Sequence, residues 1–187
     1  MDTTQDTPRH VLGPDEGERV NLSKLGVRFM IDGARTGGAF SLVEHPLEPR
    51  ALGSPMHTHT NEDEYSYILE GRVGVQIGEV VLTAGPGEMV FKPRGVPHAF
   101  WNAGDEPARL LEIISPAGFE NYFREMAPLR AAVPPDAAAI MQVAARYELD
   151  MDYSTIPVLA ERYNLRLDWS AAGFRVPELL RWSASIA

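Results

Sequence analysis

The sequence predicts an all-β core followed by a helical C-terminal extension, and three observations carry that prediction. Short runs of β-branched and aromatic residues recur at 27–31, 39–43, 65–69, 73–77, 80–82, 89–91, 99–101 and 110–114. Between them stand turn signals such as Asp32-Gly33, Gly37-Gly38, Glu70-Gly71, Gly78-Glu79, Gly85-Pro86-Gly87 and Pro93-Arg94-Gly95. Many short strands at this spacing imply an antiparallel sandwich or barrel, because each run is too short to bury its apolar face except against another sheet. After Pro116 the apolar period changes from strand-like to helical.

The elements follow in order. Residues 1–18 are polar, hold Pro8 and Pro14 and lack periodicity, which predicts a flexible arm. Residues 19–117 contain all the β runs and form the barrel. Residues 118–187 form the extension, expected to pack on the barrel or on a partner subunit. Its first helix is predicted over 119–129, where Phe119, Tyr122, Phe123 and Met126 share one face. A second is predicted over 136–147, with Pro134-Pro135 before it and Asp136 as N-cap. A third is predicted over 156–163, capped by Ser154 or Thr155, with Pro157 in its first turn. Residues 143–153 and 159–169 repeat each other at a shift of 16, matching Ala144/Ala160, Arg146/Arg162, Tyr147/Tyr163, Leu149/Leu165 and Asp152/Asp168. Two amphipathic helices packing on the barrel or on a second subunit explain the repeat more simply than two docking elements. Residues 170–187 are moderately apolar, without a readable role.

Composition bounds the function. The 187 residues are 44% hydrophobic with 26 acidic and 17 basic side chains, a net charge of −9. That balance opposes binding to nucleic-acid phosphates and to anionic membrane surfaces. No apolar run approaches the roughly 20 residues of a membrane span, and the first twenty residues lack a signal-peptide core. A cytoplasmic protein is therefore expected. With no cysteine, any metal must be held by imidazole and carboxylate, which makes the five histidines the residues to follow.

Three of them sit in two compact segments of the β region. In Pro55-Met56-His57-Thr58-His59, the two histidines are two apart on a strand and project to one face, with Cα atoms roughly 7 Å apart. A turn over 60–63 lets Glu64 open the next strand and add a carboxylate, although Glu62 and Asp63 beside it read as an ordinary solvated turn. His98 follows Pro93-Arg94-Gly95-Val96-Pro97 and also opens a strand. Imidazole with carboxylate suits one divalent transition metal, with Fe, Mn, Ni, Zn and Cu all compatible. His10 and His45 read as ordinary surface or core histidines.

These segments resemble the two motifs of the cupins, in the single-domain form of the RmlC-like superfamily and its quercetin dioxygenase-like subgroup. His57, His59, Glu64 and Gly71 match the first motif; its leading glycine is Ala51 here, with Gly53 two residues on. Gly87, Pro93, Gly95, His98 and Asn102 match the second at every position, and the 15 residues between Gly71 and Gly87 are the family's short spacing. The resemblance, over about residues 20–118, implies a jelly-roll barrel with His57, His59, Glu64 and His98 as metal ligands and about two open positions on the ion.

Strand parity extends the site. Inward Glu64 places Ser66 and Ile68 inside and Tyr65 and Tyr67 outside; inward His98 places Phe100 and Asn102 inside, with Ala99 and Trp101 facing away. Ser66, Ile68, Phe100 and Asn102 are thus the expected pocket residues. The outer aromatics call for cover by N-terminal strands, C-terminal helices or the second subunit of a homodimer. Of the nearby cations Arg72, Arg94 and Arg109, none is clearly inward, which favours an aromatic or enolic substrate over a sugar phosphate. The expectation is a metal-dependent oxygenase of quercetinase-like type acting on a small molecule chelated at the metal, with Glu64 also the base. A lyase or isomerase using the same metal, or a non-catalytic ligand-binding protein, are the alternatives.

Overall fold

The computed structural model describes residues 10–134 and 136–167. The expectations for 1–9 and for 168–187, including the end of the second repeat copy, lie outside them. The β runs become ten strands: β1 (Arg19–Leu22), β2 (Leu25–Ile31), β3 (Ser41–Leu47), β4 (Leu52–His59), β5 (Asp63–Glu70), β6 (Val73–Ile77), β7 (Val80–Ala84), β8 (Met89–Lys92), β9 (His98–Asn102) and β10 (Ala108–Ser115). The extension supplies α1 (Glu120–Ala131), α2 (Ala137–Arg146), a further strand β11 (Leu149–Asp152) and α3 (Thr155–Tyr163). One sheet runs β1-β2-β3-β10-β5-β8 and the other β11-β4-β9-β6-β7, with antiparallel pairing throughout. From β3 onward the chain crosses between the sheets at every step except the β6–β7 hairpin, so the fold is an all-β jelly roll with a helical extension.

Alternation along the strands builds two apolar regions inside the barrel. One end is filled by Leu25, Leu47, Ile68, Val73, Val75, Val90, Phe100 and Leu110. At the other, α1 lays Phe119, Tyr122, Phe123 and Met126 over Val27, Phe29, Val43 and Ile114, and α2 backs it with Ile140, Val143 and Ala144. Helices close that end. A third cluster covers the outer face of β9: Ala99 and Trp101 pack under Leu159 and Leu165, with Trp101 stacked on Tyr163 at 4.2 Å. Opposite Trp101, Gly74 allows the indole to approach; a Cβ there would fall 2.2 Å from Trp101 Nε1. The outer face of β5 and β8 is different. Tyr65 stacks on Phe91 at 4.9 Å, and Tyr67, Met89 and Phe91 are exposed among the described residues.

The first repeat copy ends against β4, and the described part of the second reaches the loop before it. β11 pairs with β4, and Arg166, after α3, bridges to Ala51. Two local expectations change and one holds. Residues 13–18 are not a free arm: the Gly13 and Glu16 carbonyls accept from the Arg28 guanidinium, which also pairs with Glu44 at 2.7 Å. Asp136 caps α2 through Ala139 N–H as expected. At α3, however, Ser154 is already helical and caps nothing; Asp152 accepts from its N–H and hydroxyl instead.

Candidate metal centre

β4 carries His57 and His59 inward, β5 opens with Glu64, and β9 opens with His98. The cross-strand register brings His57 directly opposite His98. The loop before β9 is fixed by Gly95, whose N–H donates to His59 O at 2.8 Å with φ +74°, a conformation that favours glycine. One donor atom from each of His57, His59, Glu64 and His98 lies within 4.8 Å of the others, and all four side chains are buried. Donors on opposite sides of one ion stand about 4.2 Å apart for bonds of about 2.1 Å, so small rotations close the set.

The hydrogen bonds around the rings orient them. His57 Nδ1 faces Pro55 O at 2.9 Å, His98 Nδ1 faces Val96 O at 3.0 Å, and His59 Nδ1 faces the Glu62 carboxylate at 3.2 Å. Carbonyls and carboxylates only accept, so each Nδ1 carries the proton and each Nε2 presents a lone pair to the centre. His98 Nε2 then lies 3.1 Å from Glu64 Oε2, and His59 Nε2 3.4 Å from Glu64 Oε1. The latter contact is not a hydrogen bond, and His59 Nε2 is a buried polar atom without a partner among the described residues. Lone pairs facing a carboxylate repel unless a cation sits between them. Protonating His57 is opposed by its burial and then by the charges of His98 and His59, which hold its pKa well below the usual imidazole range. A divalent ion resolves the arrangement, so the residues fit a metal. Glu62, which the sequence suggested was solvated, is buried and supplies an outer partner of the kind that fixes metal-binding imidazoles.

Beneath the four ligands lies a charged network that motif spacing did not point to. The Lys92 ammonium, fully buried, is 2.8 Å from Glu64 Oε2 and 2.9 Å from Glu112 Oε2, and it sits 5.0 Å over the Phe100 ring. Ser66 donates to Glu112. Burial alone would raise the Glu64 carboxyl, but Lys92 and the imidazoles overcome it and hold the group well below its ordinary range. For Glu112 burial wins over Lys92 and pushes its pKa up to about 7. Lys92 itself is raised, since the two carboxylates outweigh its desolvation.

The site opens into a cavity of about 100 Å³. Its walls include His57, His59, Glu64, Glu112 and His45, with Phe100, Phe119, Tyr122 and Phe123 as an aromatic lining and Leu149 and Met151 from β11. Gly53 faces Phe100, where a Cβ would meet the ring at 2.4 Å. His45 is the core histidine expected, outside the ligand set, and it also lines the cavity: its Nδ1 donates to Gly26 O at 2.9 Å, and burial lowers its pKa to about 4.

Of the four expected pocket residues, Phe100 lines the cavity and the other three do not. Ser66 lies behind Glu112, Ile68 belongs to the opposite core, and Asn102 clamps loops by donating to Glu48 O and Glu106 O and accepting from Gly104 N–H. Arg72, Arg94 and Arg109 are not among the lining residues; Arg94 pairs with Asp63 and Arg109 with Glu44 and Glu70. The cations that do line the cavity are Lys24, Arg130 and Arg166.

A jelly roll holding three inward imidazoles and a carboxylate at one end is the arrangement of a cupin, and residues 44–114 match the cupin domain family model. The described residues thus have the fold of a single cupin barrel with a helical extension. Among curated proteins, the chain is similar to the tetracenomycin polyketide synthase protein TcmJ of Streptomyces glaucescens, 32% identical over 83 residues, 42% of this chain and 56% of that protein. The chain therefore matches little more than half the length of that relative. Among solved structures, it resembles an RmlC-like cupin from Shewanella frigidimarina (TM-score 0.52, 19% identity, 60% of this chain and 96% of that one). It likewise resembles KdgF from Halomonas sp. (TM-score 0.52, 15% identity, 59% and 96%). No helix among the described residues is long and apolar enough to cross a membrane.

Proposed function

We propose that the protein is a metal-dependent oxygenase whose small aromatic or enolic substrate chelates a divalent transition ion held by His57, His59, Glu64 and His98. The observation that carries this reading is the convergence of three Nε2 lone pairs and one carboxylate at the closed end of an aromatic-lined cavity. When bound, such an ion acts as a Lewis acid that lowers the pKa of an enol or phenol and orients it.

The chain's own residues divide the remaining work. Phe100, Phe119, Tyr122 and Phe123 stack on a flat ring system and exclude water. Glu64 is held by Lys92 through Oε2, which makes it a fixed ligand and a poor base. Glu112 lines the same cavity on the other side of Lys92, and its raised pKa suits it to accept the substrate proton that Glu64 was expected to take. Lys92 stabilises the Glu112 carboxylate before transfer.

Two observations favour a second reading, a non-oxidative lyase, isomerase or cyclase: the buried Lys92–Glu112 pair is acid–base machinery, and the similar curated protein is a polyketide synthase component. Oxygen-electrode measurements on protein reconstituted with Fe(II), Mn(II) or Ni(II) and offered flavonols or related enols separate the two. Oxygen uptake supports the oxygenase; product formation that persists without oxygen supports the second reading; neither, with ligand binding intact, leaves a binding protein.

A further inference from the structure

The two ends of the cavity carry opposite charge. Its acidic lining residues, Glu64 and Glu112, are both buried at the closed end and already engaged by Lys92. Its remaining charged lining residues are all cations: Lys24 in the turn between β1 and β2, Arg130 at the end of α1, and Arg166 after α3. Lys24 and Arg130 are half-buried and Arg166 exposed, so the three mark the solvent side. They come from three separate elements in a chain with 26 acidic and only 17 basic residues, and no carboxylate accompanies them in the lining. Lys24 lies 3.1 Å from Glu48, whose side chain is 60% exposed and outside the lining. Ser54 also lines this space, and its hydroxyl is buried and without a hydrogen-bond partner among the described residues.

A basic rim on an acidic protein concentrates anions at the mouth, and guanidinium forks match oxyanions in geometry as well as charge. Between rim and metal centre the lining is aromatic and aliphatic, with His45 as a neutral ring. We infer that the ligand of this cavity is a flat amphiphile with an oxyanion, carboxylate or phosphate, at the end opposite its metal-binding oxygen, read by Arg130 and Arg166 with Lys24 adding its field and Ser54 a hydrogen bond. The inference rests on the cavity being the substrate site and deepens the proposed function by naming the charge class of the substrate.

The test is isothermal titration with three probes of one ring system: naphthol, naphthyl phosphate, and a hydroxynaphthoate whose carboxylate is far from its hydroxyl. Each is titrated at neutral pH into metal-loaded and metal-stripped protein. At least one anion is expected to bind about tenfold tighter than naphthol, as for a charge-assisted contact, and added salt should shrink the preference. The double variant Arg130→Gln/Arg166→Gln should lose most of that preference while its naphthol affinity and metal content stay unchanged. Arg166→Gln alone, at an exposed position, should lose part of it and guards against misfolding. Whichever anion wins identifies the oxyanion as carboxylate or phosphate. Equal binding of all three probes, no binding of either anion, or a preference that survives the double variant overturns the inference. An oxyanion preference in stripped protein that takes up no metal would defeat the metal reading and leave this one standing.

Discussion

The Lys92 ammonium lies 2.8 Å from Glu64 Oε2, so a carboxylate of the candidate metal centre is ion-paired to a lysine that is completely buried. The same ammonium holds Glu112, and the three charges form one network at the closed end of the cavity. Removing one member leaves the others desolvated and unpaired, which typically costs about 3–5 kcal/mol. Lys92→Met should therefore lower the unfolding free energy by that order in urea titrations. Lys92→Met/Glu112→Leu should recover much of the loss, because the second charge leaves with the first. A double variant no more stable than the single one would show that Glu112 is not the stranded partner.

The four-residue metal centre makes a sharper claim. His59→Ala and His98→Ala should each abolish stoichiometric metal in elemental analysis, and Glu64→Gln should weaken binding about tenfold to a hundredfold. Glu112→Gln, which touches none of the donor atoms, should keep its metal. Full occupancy in His59→Ala would remove it from the ligand set.

His45 ties stability to pH. Its folded pKa of about 4 lies below the unfolded value of 6.5, so its contribution is complete above pH 6.5 and is lost as the pH falls toward 4. The shift corresponds to about 3 kcal/mol. His45→Phe should flatten the decline of unfolding free energy between pH 6.5 and 4 by that order, measured on metal-stripped protein. A variant whose stability falls as steeply as the parent's would exonerate His45.

Gly74 tests the packing of the extension. A methyl there would stand 2.2 Å from Trp101 Nε1, whereas one at Gly85 meets nothing nearer than 3.7 Å. Gly74→Ala should cost about 3 kcal/mol by displacing the indole from Tyr163, and Gly85→Ala about nothing, in paired thermal melts. Similar melting temperatures for the two would mean that Trp101 adapts freely.

The sequence was most legible where spacing and periodicity acted together. His57 and His59 share a strand face, Glu64 and His98 open strands, and Tyr65, Tyr67 and Trp101 point outward as parity requires. Lys92 escaped notice because an expected strand over 89–91 stops one residue short of it, although inward Val90 predicts inward Lys92. Glu112 was equally readable between inward Leu110 and Ile114, but a charge within an apolar run finds its meaning only when its counter-ion is known. His45 lay beyond the apolar run at 39–43, whereas β3 runs on through Pro46 to Leu47. The helical face of Phe119, Tyr122 and Phe123 was plain, yet helical period says nothing of which surface it covers.

That face has a consequence for how such a protein diversifies. The ion's ligands all lie within the barrel, whereas Phe119, Tyr122, Phe123, Arg130, Leu149, Met151, Arg166 and Leu167 line the same cavity from the extension. Under the proposed function, much of the selectivity is therefore written in a stretch of the chain apart from the ligands. Substitutions after residue 118 can retune what enters while the four candidate ligands stay as they are.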